Sequence, residues 1–119
     1  MKRRAEAASI VLSVALVAQA QAHPTLVRSD PVAGSKEKAP AAVALQFSEN
    51  VQPVFNKIEV TDAKGRRYDN GKAALDAVDQ SKLTVSLKPL EPGVYLVRWR
   101  AAGADSHPMQ GSFRFEVIN

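Results

Sequence analysis

Residues 92–117 read "PGVYLVRWRAAGADSHPMQGSFRFEV", and this stretch decides the fold class. Large apolar side chains occupy alternate positions near its start, at Tyr95, Val97 and Trp99, and again near its end, in "GSFRFEV". Alternation with a period of two is typical of β-strands that bury one face. The segment between the two patterns, "AGADSHPMQG", is rich in turn-forming residues. The stretch therefore predicts two strands joined by a loop.

Similar strand patterns occur upstream of this stretch. They lie in "TLVRS" (25–29), "AVALQFS" (42–48), "NKIEVTD" (56–62) and "KLTVSLK" (82–88). Segments with Gly, Pro, Asp or Asn separate them, and "AKGRR" (63–67) is expected to form a hairpin turn. Only "KAALDAVD" (72–79) suggests a helical turn. The pattern predicts an all-β domain, a small sandwich or barrel of about seven strands.

The first 22 residues have the features of a secretory signal peptide. Three basic residues, Lys2–Arg4, precede an apolar run of twelve residues, and small residues follow in "QAQA". The run is too short to span a bilayer, which takes about 20 residues. Two A-x-A sites overlap, so cleavage would leave either Gln21 or His23 as the first residue. We expect a signal peptide at 1–22 and one exported domain at 23–119.

Composition excludes several classes of function. The chain has no cysteine, which excludes disulfides, zinc-thiolate sites and blue-copper centres in an exported domain. Three of the 16 basic residues and one of the 12 acidic residues precede His23, so the mature chain has a net charge of about +2. The remaining basic residues are scattered singly, apart from Arg66 and Arg67, and do not predict nucleic-acid binding.

Two histidines, His23 and His107, are the candidates for chemistry. Asp105 lies two residues before His107, and in an extended backbone such positions point to the same side. This pair could present a carboxylate oxygen and an imidazole nitrogen together. A D-x-H motif alone is a weak signal, because metal sites need a spatial cluster rather than a pair.

Cleavage after Ala22 would add ligands. His23 would then offer both its free α-amine and its imidazole, and an N,O donor set of this kind suits Cu(II). Pro24 has no backbone N–H, so it removes the first amide that could compete for the metal. An equally acceptable interpretation is that Pro24 only stiffens the terminus.

These residues resemble the CopC-type periplasmic copper-binding proteins, a family of copper-resistance domains. The resemblance covers nearly all of 23–119 and includes "SDPVAGS", "VALQFSENV" and the D-x-H motif before a G-x-F-x-F-x-V strand. It implies a small Greek-key β-sandwich or barrel, Ig-like or cupredoxin-like. It also implies a Cu(II) site made by the His23 amine and imidazole, Asp105 and His107. Glu49 matches an acidic position beside that site and is either a weak ligand, an orienting partner or a solvated side chain.

The resemblance further implies a monomeric, non-enzymatic protein of the periplasm that is not embedded in the membrane. It would bind copper for resistance or homeostasis, sequestering the ion or delivering it to an inner-membrane transport protein of the CopD type. Some members carry a methionine-rich Cu(I) site, which this sequence lacks, because Met109 is its only methionine after residue 22. We expect Met109 to pack at the loop rim and Trp99 to lie in the core.

Two other functions fit the same residues. An N-terminal histidine with a second histidine is also found in copper monooxygenases, although this small, aromatic-poor domain offers no obvious polymer-binding platform. An interaction module with two incidental histidines would bind no stoichiometric copper.

Overall fold

The computed structural model describes residues 24–119, and its regular elements are all β-strands. The strands are β1 (Leu26–Asp30), β2 (Lys36–Glu37), β3 (Ala42–Phe47), β4 (Lys57–Thr61), β5 (Asp69–Leu75), β6 (Lys82–Leu87), β7 (Gly93–Ala102) and β8 (Pro108–Val117). The signal peptide and His23 lie outside the described residues. Within 24–119, no helix has the length and apolar character needed to cross a bilayer.

Two four-stranded sheets form the predicted Greek-key sandwich. Their strand orders are β1-β3-β6-β5 and β2-β8-β7-β4, so the chain crosses between sheets after β1, β2, β3, β4 and β6. The eighth strand, beyond the seven expected, is the two-residue β2, which pairs in parallel with the end of β8. A strand of two residues is too short to show an alternating pattern in the sequence.

The predicted helical turn in "KAALDAVD" is wrong. Its first half belongs to β5, where Ala74 pairs with Thr84 and Leu75 pairs with Leu83 of β6. Ala73 and Leu75 pack against the core, which gives this segment a period of two rather than a helical period.

The predicted turn at "AKGRR" is present, but it does not join two strands of one sheet. Asp62 N–H donates to the Arg66 carbonyl at 3.0 Å, and a single bridge links Thr61 to Arg67. Beyond that bridge β4 and β5 diverge into opposite sheets. The turn therefore connects the two layers of the sandwich.

The core lies between the sheets. Its buried residues come mainly from β3, β4, β6, β7 and β8, and β1 and β5 add partly buried side chains. Trp99, 9% exposed, belongs to it as expected, and its ring meets Phe47 edge-on at 5.2 Å between centroids. Tyr95 stacks on Phe115 at 5.6 Å. Burying each such side chain contributes about 1.5–3 kcal/mol, so this apolar layer is the main source of stability.

Pairing of β7 with β8 positions the loop that carries the D-x-H motif. The register runs without interruption from Gly93 opposite Val117 to Ala102 opposite Pro108. Gly111 lies opposite Trp99, and a Cβ atom there would come within 2.6 Å of the indole. Glycine thus lets the indole lie across β8, and the long hairpin holds residues 103–107 at one end of the sandwich.

Acid is expected to destabilise the fold partly through Asp62. Burial raises the pKa of this carboxyl, but hydrogen bonds from Arg66, Lys64 and Tyr68 outweigh it and lower the pKa from 3.8 to about 2. Because the folded pKa is depressed, the stabilisation is present above about pH 4 and is lost as the pH falls towards 2. Thermal midpoints between pH 7 and pH 2 should fall less steeply in Asp62→Asn than in wild type. An equal dependence of the thermal midpoint on pH in the two proteins would contradict this role of Asp62.

Candidate metal centre

The loop between β7 and β8 brings Asp105 and His107 into direct contact. Asp105 Oδ2 lies 2.9 Å from His107 Nδ1, and Asp105 Oδ1 accepts a hydrogen bond from the His107 backbone N–H at 3.2 Å. A carboxylate and an imidazole are therefore presented together, as the spacing predicted.

The backbone that achieves this is a turn and not the extended segment we predicted. Ser106 has a φ of 66°, in the left-handed region, and its N–H donates to the Gly103 carbonyl at 3.0 Å. Because the chain reverses here, the two side chains meet through the turn and the Asp105-to-backbone bond rather than through strand alternation.

The pair is open to an incoming ion. The side chain of His107 is 67% exposed and that of Asp105 is 32% exposed. With Nδ1 facing the carboxylate, Nε2 is the ring nitrogen directed away from Asp105, and a carboxylate has about four acceptor positions on its two oxygens. A carboxylate bonded to one ring nitrogen of a histidine orients the other nitrogen towards a metal in many proteins.

Gln52 holds the loop from the side, and sequence reasoning missed it. Its N–H donates to the Ala102 carbonyl at 2.8 Å, and its side-chain amide donates to Ser106 Oγ at 3.0 Å. The two contacts fix the chain on both sides of Asp105. No local signal marks Gln52, because its partners lie 50 and 54 residues further along the chain.

The residues that follow His23 are fastened to the same end of the sandwich. Pro24 is buried, and its ring lies against Gly103, where a Cβ atom would come within 2.7 Å of Pro24 Cδ. Thr25 N–H donates to Ser48 Oγ at 2.9 Å, and Ser48 N–H donates back to the Thr25 carbonyl at 2.9 Å. The described chain therefore begins against Gly103, which lies two residues before Asp105 in the sequence.

Glu49 and Met109 are close in sequence to residues at this end of the sandwich. Glu49 is exposed and follows Ser48, whereas Met109 is half-buried and packs against the core, as expected. Among residues 24–119, no group of three or more His, Cys, Asp or Glu side chains is arranged to hold a metal ion. The described part of the chain brings together two of the predicted ligands, Asp105 and His107, and the third, His23, lies outside the described residues.

Comparisons with known proteins agree with this architecture. Residues 26–118 match the family model described as the CopC domain. Copper resistance protein C from Pseudomonas syringae pv. tomato is 42% identical over 106 residues, covering 84% of this chain and 84% of that protein. Copper transport protein CutJ from Bacillus subtilis (strain 168) is 37% identical over 98 residues, covering 81% of this chain but 18% of that protein.

Solved structures share the fold. CopC from Methylosinus trichosporium OB3b has a TM-score of 0.74 at 29% identity and covers 80% of this chain and 93% of its own. PcoC, a methionine-rich copper resistance protein from Escherichia coli, has a TM-score of 0.72 at 35% identity and covers 82% and 100%. This chain differs from the latter in having two methionines in all. The family match over residues 26–118, together with these relatives and structures, shows that the chain belongs to the CopC family.

Proposed function

We propose that this protein is a copper-binding protein of copper resistance or homeostasis, and that it binds one Cu(II) ion at the end of its sandwich. The ligands are the amine and imidazole of His23, the imidazole of His107 and the carboxylate of Asp105. The 2.9 Å contact between Asp105 and His107 on an exposed loop is the observation that carries the proposal.

The donor chemistry favours copper in its oxidised state. Nitrogen and carboxylate oxygen donors suit Cu(II), whereas Cu(I) prefers the thiolate and thioether donors of Cys and Met. The chain has no cysteine, and Met109 packs against the core. The matched relatives are named copper resistance proteins, which supports copper as the ion.

The position of Pro24, to which His23 is bonded, supports His23 as the remaining ligand. His23 is bonded to Pro24, and consecutive Cα atoms are about 3.8 Å apart. Pro24 is packed on Gly103, two residues before Asp105. A Cβ atom at Gly103 would lie 2.7 Å from Pro24 Cδ and 3.5 Å from Asp105 Oδ1, so the carboxylate lies close to the residue to which His23 is bonded. Glu49, on the segment bonded to Thr25, serves as an outer partner that helps to orient the ligands.

The function that follows is to carry copper and not to catalyse a reaction. Export with removal of residues 1–22 would place the domain in the periplasm as a monomer that holds Cu(II) or passes it to an inner-membrane transport protein of the CopD type. CutJ supports the delivery role, because a domain like this one makes up 18% of a protein named for copper transport. An exposed loop allows an ion to be transferred directly between two proteins.

Cu(II) titration of the exported, mature chain tests this function. We expect one equivalent to bind and to give a tetragonal electron paramagnetic resonance spectrum with nitrogen hyperfine coupling. Trp99 belongs to the hairpin that carries the site, so its fluorescence should fall until one equivalent has been added. Binding of no ion at micromolar copper, or of Cu(I) alone, would refute the proposal.

A further inference from the structure

The outer face of the β2-β8-β7-β4 sheet concentrates positive charge. Arg98 and Arg100 alternate along β7 with the buried Val97, Trp99 and Ala101, so their side chains project away from the core. Arg114 projects from β8 in the same way, and Lys57 and Lys36 are exposed on the two edge strands. We call these five residues, Lys36, Lys57, Arg98, Arg100 and Arg114, the basic face.

Strand pairing brings these cations together. Lys57 of β4 lies directly opposite Arg100 of β7, and Arg98 is one row further along the sheet. Paired strands are about 4.8 Å apart and alternate residues on a strand about 7 Å apart, so three cations lie within one small area. A groove of about 340 Å³ opens beside them, lined by Arg98, Trp99, Gln110, Gly111 and Ser112.

Two carboxylates share this face and leave most of its charge uncompensated. Glu59 is held by Lys57 at 2.7 Å and approached by Arg67 at 3.5 Å, and Glu116 lies beside Lys36 in the register of β2 and β8. Among the described residues, no carboxylate lies within ion-pairing distance of Arg98, Arg100 or Arg114. Three arginines therefore face solvent with their charge available to an external anion.

Exposed apolar residues form the rim between this face and the metal loop. Val54 is 51% exposed and Phe55, two residues before Lys57, is 71% exposed. Phe55 has a φ of 65°, in the region that non-glycine residues rarely adopt, so the backbone holds an aromatic ring in solvent at a conformational cost. Gln52, at the start of the same segment, is bonded to Ser106 of the metal loop.

We propose that the basic face and the Val54–Phe55 rim dock this protein onto the surface of an anionic lipid membrane. Cations near such a surface are attracted by its phosphate headgroups, and an aromatic ring inserts at the boundary of the acyl layer. A headgroup layer is a broad, laterally mobile field of anions, which fits arginines spread over a sheet and held by no ion pair. An acidic protein surface would instead need carboxylates at fixed positions opposite these arginines.

The proposal goes beyond copper binding and does not depend on it. Docking by this face would leave the metal loop at the edge of the contact, beside the membrane surface and open to a transport protein there. Removing copper or the His107 ligand should therefore leave the attachment to lipid unchanged.

Sedimentation with vesicles tests this surface. The mature, metal-free chain should bind vesicles of phosphatidylglycerol, bind vesicles of phosphatidylcholine much more weakly, and dissociate at 0.5 M salt, where screening reduces the Debye length to below about 5 Å. Each cation removed should weaken partitioning by about fivefold, so Arg98→Ala with Arg100→Ala should lose on the order of 25-fold. Phe55→Ser should weaken binding without changing its dependence on salt.

A matched double variant distinguishes an effect of the basic face from an effect of net charge alone. Arg28 and Lys72 are exposed on the opposite sheet, and Arg28→Ala with Lys72→Ala removes the same charge. This pair should bind vesicles nearly as well as wild type, with thermal midpoints confirming that both double variants are folded. Equal losses in the two, no binding of wild type to anionic vesicles, or retention on immobilised polyglutamate without binding to vesicles would each overturn the proposal.

Discussion

Replacing His107 with alanine is expected to lower the Cu(II) affinity of the mature chain by about 100-fold or more. Losing a residue that only orients a ligand typically costs 10- to 100-fold in affinity, and a ligand should cost at least the upper end of that range. His107 is 67% exposed and lies outside the core, so its removal should leave the thermal midpoint of the metal-free protein within about 2 °C of wild type. Competition with a chelator of known affinity measures the loss.

Two further variants distinguish a ligand from a general loop effect. Asp105→Asn keeps the size of the side chain but removes its charge, and should cost about 10-fold or more because it weakens both the oxygen donor and the 2.9 Å contact to Nδ1. Gln110→Ala alters an exposed neighbour on β8 and should bind as wild type does. An unchanged affinity in His107→Ala would remove His107 from the site and with it the proposed function.

The alternation of apolar and polar side chains predicted the fold well, because each long strand buries one face. The alternation at Tyr95, Val97 and Trp99 marks the same residues that the core contains. It failed at β5, where the alanine-rich "KAAL" has too little contrast between faces to distinguish strand from helix. It also failed at β2, whose two residues are defined by pairing with β8 alone.

The site could be predicted only in part, because spacing specifies neighbours along the chain and not across it. Asp105 and His107 are two residues apart, so their contact was foreseeable even though the turn was not. Gln52 acts on this loop from more than 50 residues away, and Lys57 lies beside Arg100 across a sheet. The basic residues looked scattered in the sequence for that reason, and the register of β4 with β7 gathers them on one face.

Adding one alanine before His23 is expected to abolish tight Cu(II) binding while leaving every side chain in place. The α-amine of His23 exists only after cleavage behind Ala22, since until then that nitrogen belongs to an amide. With a preceding residue, His23 would lose the amine donor of its chelate, because that nitrogen would again be part of an amide. We expect a loss on the order of 100-fold or more, comparable to removing a ligand.

The measurement compares three proteins whose N-termini are verified by mass spectrometry: the mature chain beginning at His23, the same chain with the extra alanine, and a control with an alanine added after Asn119. The control keeps the composition of the extended form and the terminus of the mature one, so it should bind copper as the mature chain does. A mature chain that begins at Gln21, or equal affinities in all three proteins, would exclude the amine as a ligand. The Asp105–His107 pair would then have to find its further donors elsewhere, with Glu49 the first to examine. If the alanine-extended form alone is weak, removal of the signal peptide creates the copper site, and the precursor stays unable to hold copper tightly until it has been exported.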